Sequence, residues 1–336
     1  MAAKLDKAHV LKILRHSDDY LSSPELLETI NNAVPERTLR RWLSSWVDQG
    51  LLTRVGNRRS TRYRPTQSEA KPTFAFLEGL GTSRKNALLG QLRDLWTHHS
   101  TAVEGNTLTL GDTHFVLEQG LTIAGKPIKD HQEVIGHSRA IDILYKSLST
   151  PITEQTLFDL HNAVQTEHVT DIYKPNGAWK VEPNGTNVVT RDNQQIYLEY
   201  AKPKDVPHLM REVIDMINVE NHPSLELVTA PKVFAKVHAA IAHIHPFWDG
   251  NGRIARLLSN IPLLRAGLPP IVIPVVQRQE YIQILAEYEI AVGPITQQTG
   301  AWPAPQRLTE FVEFCSGCYD ITRQLVEEAH GGNTER

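Results

Sequence analysis

The 336-residue chain carries 40% hydrophobic and 22% charged residues, with Gly 20 and Pro 20 spread along its length, which excludes collagen-like, fibrous and largely disordered classes. Its length predicts two domains, or one large domain with a small appendage. Net charge is −3, yet residues 1–66 hold 12 Lys/Arg against 7 Asp/Glu and the other 270 hold 23 against 31, so a basic head precedes an acidic body and the two are expected to have different partners. The two cysteines, Cys315-Ser-Gly-Cys318, sit among helix-forming residues, make no disulfide framework and fit a reducing cytoplasm. Charges interrupt every apolar stretch near the N-terminus, so a signal peptide is not expected. The most apolar run, residues 261–276, contains Arg265, Gly267 and four prolines. It falls short of the roughly 18 to 20 apolar residues of a membrane helix, and no membrane partner is expected.

In chain order, residues 8–16 place Val10, Leu11 and Leu14 on one stripe of a short helix. Ser23, as N-cap before Pro24 and Glu25, predicts a second helix with Leu26, Leu27 and Ile30 on its apolar face. Pro35 and Glu36 open a third, where Leu39, Trp42, Leu43, Trp46 and Val47 repeat at three and four before Gly50. Residues 51–64 read as two strand-like arms about a Gly56-Asn57 turn. Three helices followed by a basic hairpin resembles the winged helix-turn-helix. Here Arg37, Arg40 and Arg41 lie on the third helix, with Arg54, Arg58, Arg59, Arg62 and Arg64 on the hairpin. That array suits DNA phosphates, although such modules also serve as protein contacts. Residues 67–73 read as a linker, 74–330 as a second, mainly helical domain and 331–336 as a flexible tail. The second domain has one β-like interruption, two short arms about Asp192-Asn193.

The chemistry concentrates in residues 232–266. Val233, Phe234, Val237, Ala240 and Ile241 form a helical stripe that must end before Pro246, because Pro246 disfavours helical geometry at His245. Gly250 and Gly252 bracket Asn251 in a loop able to approach a ligand closely. A new helix follows, with Leu257, Leu258, Ile261, Leu264 and Arg265 on its face and Gly267 at its end. The N–H groups of Gly252 and Arg253 then open a helix N-terminus, which is an anion site. Arg253 and Arg256 share one face of that first turn, where the helix dipole disfavours cations unless an anion is bound. Asp249 could hold Mg²⁺, which takes one carboxylate plus phosphate oxygens. His245, at the preceding helix end, suits general-base work.

The run HPFWDGNGRIAR from His245 to Arg256 fits all nine defined positions of the HPFx(D/E)GNGRxxR signature, and so resembles Fic-domain proteins (filamentation induced by cAMP). The resemblance implies a mainly α chain: an all-helical Fic domain with a short β-hairpin flap behind a small winged helix-turn-helix domain. It implies transfer of AMP from ATP-Mg²⁺ to a Ser, Thr or Tyr hydroxyl of a target protein. In that reading His245 is the base, Asp249 holds Mg²⁺, Gly250, Asn251, Gly252 and Arg253 serve the phosphates, and Arg256 reaches the γ-phosphate. Ser100-Thr-Ala-Val-Glu-Gly-Asn106 matches the family's inhibitory signature (S/T)xxxE(G/N), which places a brake on a helix near 95–106. Ser100 and Glu104 are four apart on one helix face, and a Glu104 carboxylate paired with Arg256 would compete with ATP. The hairpin at 187–200 stands where the family's target-aligning flap would be, or is a plain surface hairpin. Tyr281 resembles the family's adenine-side tyrosine, with a core role as the alternative.

Auto-inhibited AMP transfer is the preferred expectation. Removal of AMP by the same site, or a DNA-binding regulator with a nucleotide-sensing pocket, are the rivals, and the reading allows a homodimer. Gly120-Leu-Thr-Ile-Ala-Gly-Lys-Pro127 has P-loop spacing but Pro127 replaces the needed hydroxyl, so a turn is expected. Neither His98-His99 nor His243 with His245 has the partners of a zinc site.

Overall fold

The structure, a computed structural model, describes residues 10, 21–31, 33–48, 52–56, 61–65, 74–166, 171–219 and 225–331. It divides into two compact units, Met1–Lys71 and Pro72–Arg336.

In the first unit, β1 (Leu21–Ser22), α1 (Ser23–Thr29), α2 (Glu36–Asp48), β2 (Leu52–Val55) and β3 (Arg62–Pro65) follow in order. The strands form one antiparallel sheet in the order β1-β3-β2, with Tyr63 opposite Leu21 on one side and Arg54 on the other. The cap of α1 is Ser22 rather than Ser23. Glu25 N–H donates to Ser22 Oγ while Ser22 N–H donates to Glu25 Oε2, a reciprocal pair that Ser23 cannot make from one residue further in. Leu26, Ile30, Leu39, Leu43, Trp46 and Leu52 close a small core that also takes in the helical Val10. The rest of the helix expected at 8–16 lies outside the described residues, as do Asn57, Arg58, Arg59 and the linker at 67–73. Trp46 is only 2% exposed, so Trp46→Ala is expected to destabilise this unit by about 3–5 kcal/mol, read as a lower midpoint in urea unfolding.

The second unit is mainly helical: α3 (Thr82–Ala102), α4 (Leu110–Gln119), α5 (Ile128–Ser147), α6 (Glu154–Val164), β4 (Gly185–Val189), β5 (Gln195–Glu199), α7 (Val206–Val219), α8 (Ala230–Ile244), α9 (Asn251–Leu258), α10 (Ile261–Arg265), α11 (Arg278–Val292) and α12 (Thr309–Gly331). α8 is apolar on nearly every side, with Phe234, Val237, Ala240, Ile241 and Ile244 buried, and it packs against α7, α9, α10 and α12. This packing fixes the helix in the core, and its C-terminal end is where the candidate chemistry begins. The segment after Gly120 is a turn, closed by Ile123 N–H on His131 Nε2. Cys315 and Cys318 are buried thiols on α12. Among the described residues no helix is long and apolar enough to cross a membrane.

The helix expected to run from 251 to 265 is two. Pro262 has no N–H for the carbonyl of Leu258, so the ladder stops there. Asn260 then folds its amide onto the backbone N–H and C=O of Ile271, at 2.8 and 2.9 Å, and turns the chain into α10. β4 and β5 pair from Gly185 opposite Glu199 to Val189 opposite Gln195, with Asn193 left-handed in the turn. Arg191 at the tip pairs with Glu287 on α11 and Glu310 on α12, which tethers the hairpin to the helices behind it.

Candidate active site

α8 ends at Ile244, and His245 caps it in a left-handed conformation (φ 51°, ψ 60°) that costs a non-glycine residue about 1–2 kcal/mol. The imidazole lies flat against Tyr200, with ring centroids 3.8 Å apart and planes 4° from parallel. Its Nδ1 is 3.2 Å from the Ala242 carbonyl, so Nδ1–H donates there and Nε2 keeps its lone pair. Burial, then the charge of Lys180, pulls His245 down to about 4, against the opposing effects of Glu104 and Asp249. A neutral imidazole with a free Nε2 can accept a proton.

The loop after His245 is built from the backbone outward. Asn251 Oδ1 accepts from Phe247 N–H and Asn251 Nδ2 donates to the Phe247 carbonyl, each at 2.8 Å. The buried Asn251 side chain is therefore committed to folding the loop, while its backbone stands at the first position of α9. Removing that amide in Asn251→Ala leaves the buried Phe247 N–H unpaired, while the Phe247 carbonyl keeps its bond from Asn184 Nδ2, and is expected to lower stability by about 1–3 kcal/mol, measured by thermal unfolding. His161 supports the same loop from α6. Its ring stacks on Phe247 at 4.0 Å, its Nδ1 accepts from Gly177 N–H and its Nε2 donates to the Asp249 carbonyl. Gly250 is left-handed (φ 77°).

Arg256 is 2% exposed and uses four of its five N–H groups. Nε donates to Ser100 Oγ (3.1 Å), one terminal nitrogen to the Ser100 carbonyl (2.8 Å) and Glu104 Oε1 (2.6 Å), and the other to Tyr281 Oη (3.2 Å). Burial works to raise the Glu104 carboxyl, but Arg256 outweighs it and holds the group below its usual range. Glu104 Oε1 also lies where a Cβ on Gly252 would stand, so only glycine lets the carboxylate sit against this first turn of α9. A carboxylate thus already lies at the helix N-terminus that would receive an anion. Arg253 donates to the Val164 carbonyl (2.9 Å) and faces Asp249 at 3.4 Å, while its buried Nε has no partner among the described residues.

Tyr281 departs from the expectation of a base-facing side chain. It is 5% exposed, packs beside Phe311 and Phe314, and its hydroxyl joins Arg256 to His238 Nε2 at 3.0 Å. Its neighbours leave no face for a ligand ring, and it holds the guanidinium instead. His238, His161, Lys180 and Tyr200 carry no spacing signal in the sequence, because each reaches the site through tertiary contacts. The Asp249 side chain is 61% exposed, and no group of three or more His, Cys, Asp or Glu among the described residues could hold a metal alone.

Residues 151–263 match the model of the Fic/DOC family. That segment, about a third of the chain, is similar to a Fic/DOC domain. It is 31% identical over 218 residues to protein adenylyltransferase fic-1 of Caenorhabditis briggsae, covering 64% of this chain and 40% of that protein. It is 36% identical over 193 residues to protein adenylyltransferase Fic of Drosophila willistoni, covering 56% and 35%. The chain therefore spans less than half the length of these curated relatives. A Fic domain containing signaling protein from Bacteroides thetaiotaomicron superposes with TM-score 0.65 at 29% identity, covering 77% of this chain and 95% of that one. The 134–508 segment of Fic-1 from C. elegans shares the fold at TM-score 0.58 and 21% identity, covering 97% of this chain and 85% of that segment.

Proposed function

We propose that the Fic/DOC domain transfers AMP from ATP to a Ser, Thr or Tyr hydroxyl of a target protein or of this chain, and that Glu104 restrains it. The relatives' names support the activity. The observation that carries the restraint is the Glu104 carboxylate held on Arg256 and against Gly252, in the place an ATP phosphate would take.

With Glu104 displaced, the N-terminus of α9 and the guanidinium groups of Arg253 and Arg256 receive the phosphates. His245 Nε2 takes the proton of the target hydroxyl, and the oxygen bonds to the α-phosphorus. The bond from that phosphorus to the β-phosphate bridge then breaks, and pyrophosphate leaves. Asp249 fits Mg²⁺ as its single exposed carboxylate, the other ligands being phosphate oxygens and water. When bound, Mg²⁺ neutralises phosphate charge and eases departure of pyrophosphate. β4 and β5 offer an edge on which a target segment can align. The test is incubation with α-labelled ATP and Mg²⁺, reading label on protein. Label that depends on His245 is expected, and no label on the chain or on any protein of a cell extract would overturn the reading.

A second reading concerns the first unit. Arg37, Arg40, Arg41, Arg54 and Arg62 are all exposed, with Arg40 and Arg62 paired to Glu36 and Glu25. These arginines favour duplex DNA as the partner of a winged helix-turn-helix. Retardation of a short duplex is expected at 50 mM salt and is lost by 200 mM, a fall of about 10³-fold if some six phosphates are contacted. Absence of retardation at low salt would exclude it.

A further inference from the structure

Lys180 is 2% exposed, in the loop before β4, and it makes no contact with substrate in the reading above. Its backbone N–H donates to the Pro246 carbonyl at 2.9 Å. Its ammonium donates to the carbonyl of Ile244 (3.3 Å) and to Asn184 Oδ1 (2.5 Å). Asn184 in turn donates from Nδ2 to the Phe247 carbonyl (3.1 Å), and its own carbonyl accepts from Tyr200 N–H (3.2 Å). Lys180 and Asn184 thus grip the backbone at 244, 246 and 247, on both sides of His245. The same ammonium stands over the Tyr200 ring, 5.9 Å from its centroid, and that ring is the one stacked on the imidazole.

We infer that Lys180 is a positioning residue for His245: it holds the last carbonyl of α8 and the Tyr200 ring so that the left-handed turn presents Nε2 to the target hydroxyl. This rests on His245 being the base. Two features require such a device. A left-handed non-glycine residue persists only where its surroundings over-determine it. The C-terminal carbonyls of α8 lack intrahelical partners, and a cation there satisfies one and complements the dipole. Removing the ammonium would leave the Ile244 carbonyl unpaired in a buried place and free the turn to relax. Burial pulls Lys180 down to about 7, and the positive charge next to His245 opposes protonation of the imidazole. The other groups acting on His245 are the Ala242 carbonyl that its Nδ1 faces, Glu104 after α3 and Asp249 in the loop, all of which favour protonation.

The test places Lys180→Met and Lys180→Arg in the Glu104→Gly chain and compares kcat, KM for ATP and the pH profile of labelling. Met is expected to lower kcat by about tenfold or more with KM for ATP within about twofold, since the phosphate groups are untouched. It is also expected to move the acid limb to higher pH, because loss of the positive charge lets His245 protonate sooner. Arg restores the charge and most of the rate. An unchanged kcat with Met, or an Arg variant no better than Met, overturns the inference. NMR titration of the His245 ring, assigned by its loss in His245→Ala, gives a readout without turnover: the midpoint rises in Lys180→Met if the inference holds and stays put if it fails. If Glu104→Gly itself carries no label, the transfer reading fails while the titration still decides the role of Lys180.

Discussion

Glu104→Gly is expected to tighten ATP-Mg²⁺ binding, and to raise labelling with it, by about 10- to 100-fold, the equivalent of about 1.5–3 kcal/mol for one charge-assisted hydrogen bond that ATP must otherwise displace. Two features of the site argue for a large effect. The carboxylate meets a guanidinium that is 2% exposed, so the pair is weakly screened on the arginine side. It also fills the space above Gly252, so ATP must remove it sterically as well as electrostatically. The variant leaves Arg256 correctly aimed, because Ser100 and Tyr281 still bind three of its N–H groups. Glu104→Gln keeps the shape and an accepting oxygen but not the charge, and is expected to fall between. Isothermal titration with ATP-Mg²⁺, paired with label incorporation, measures both. Equal affinity in wild type and Glu104→Gly would remove the brake from the reading. The sign of the pH effect follows from the same pair. The Glu104 carboxyl is held below its usual 4.5, so the proposed restraint is expected to be complete above that value and to weaken only as pH falls below it. A stability cost accompanies the release: without ATP the variant buries an arginine stripped of its carboxylate, so its Tm should drop and recover when ATP-Mg²⁺ is added.

The parts of this site that could be read in the sequence are those whose geometry is local. Pro246 and the two glycines announce the end of one helix, a tight loop and the start of another, and the structure has α8, the loop and α9 in that order. Ser100 and Glu104 share a helix face by spacing alone. Their meeting with Arg256 spans 152 residues from Glu104, and was legible only through the resemblance of both motifs to one family. The hairpin and its Asn193 turn were likewise local. What stayed hidden acts through backbone carbonyls far away in sequence. Lys180 reaches Ile244 across 64 residues and His161 reaches Asp249 across 88, and no periodicity marks a side chain that will bind a distant carbonyl. Tyr281 was visible as an aromatic residue near the site, but which side it faces depends on Phe311 and Phe314 of α12, which cover it. The split of α9 from α10 was within reach, since Pro262 stands in the sequence, but the apolar stripe at 257, 258, 261 and 264 runs through the break and conceals it.

His245→Ala is expected to lower the labelling rate by about 10²- to 10⁴-fold while leaving ATP affinity within about twofold, because in the proposed reaction the imidazole serves the target hydroxyl and none of the phosphate contacts. The comparison belongs in the Glu104→Gly chain, where the parent signal is large, and single-turnover label incorporation measures it. A variant retaining a tenth or more of the parent rate would displace His245 from the base role. The choice of pH matters. His245 sits at about 4, so its Nε2 is free across neutrality and the base contributes no acid limb between pH 6 and 8. Lower down, the fold itself becomes the limit. His99, His161, His243 and His245 all sit near 4, His137 near 3 and His238 well below its ordinary value, each pulled down chiefly by burial, so each takes up a proton near its ordinary 6.5 once unfolded. The unfolded chain therefore binds more protons than the folded one below about pH 6.5, and stability must fall as pH drops from there towards 4. Activity lost in that window with unchanged far-UV dichroism belongs to the site, and activity lost together with the dichroism belongs to the buried histidines; His245→Ala removes one of those histidines and should lose less stability than its parent over the same range.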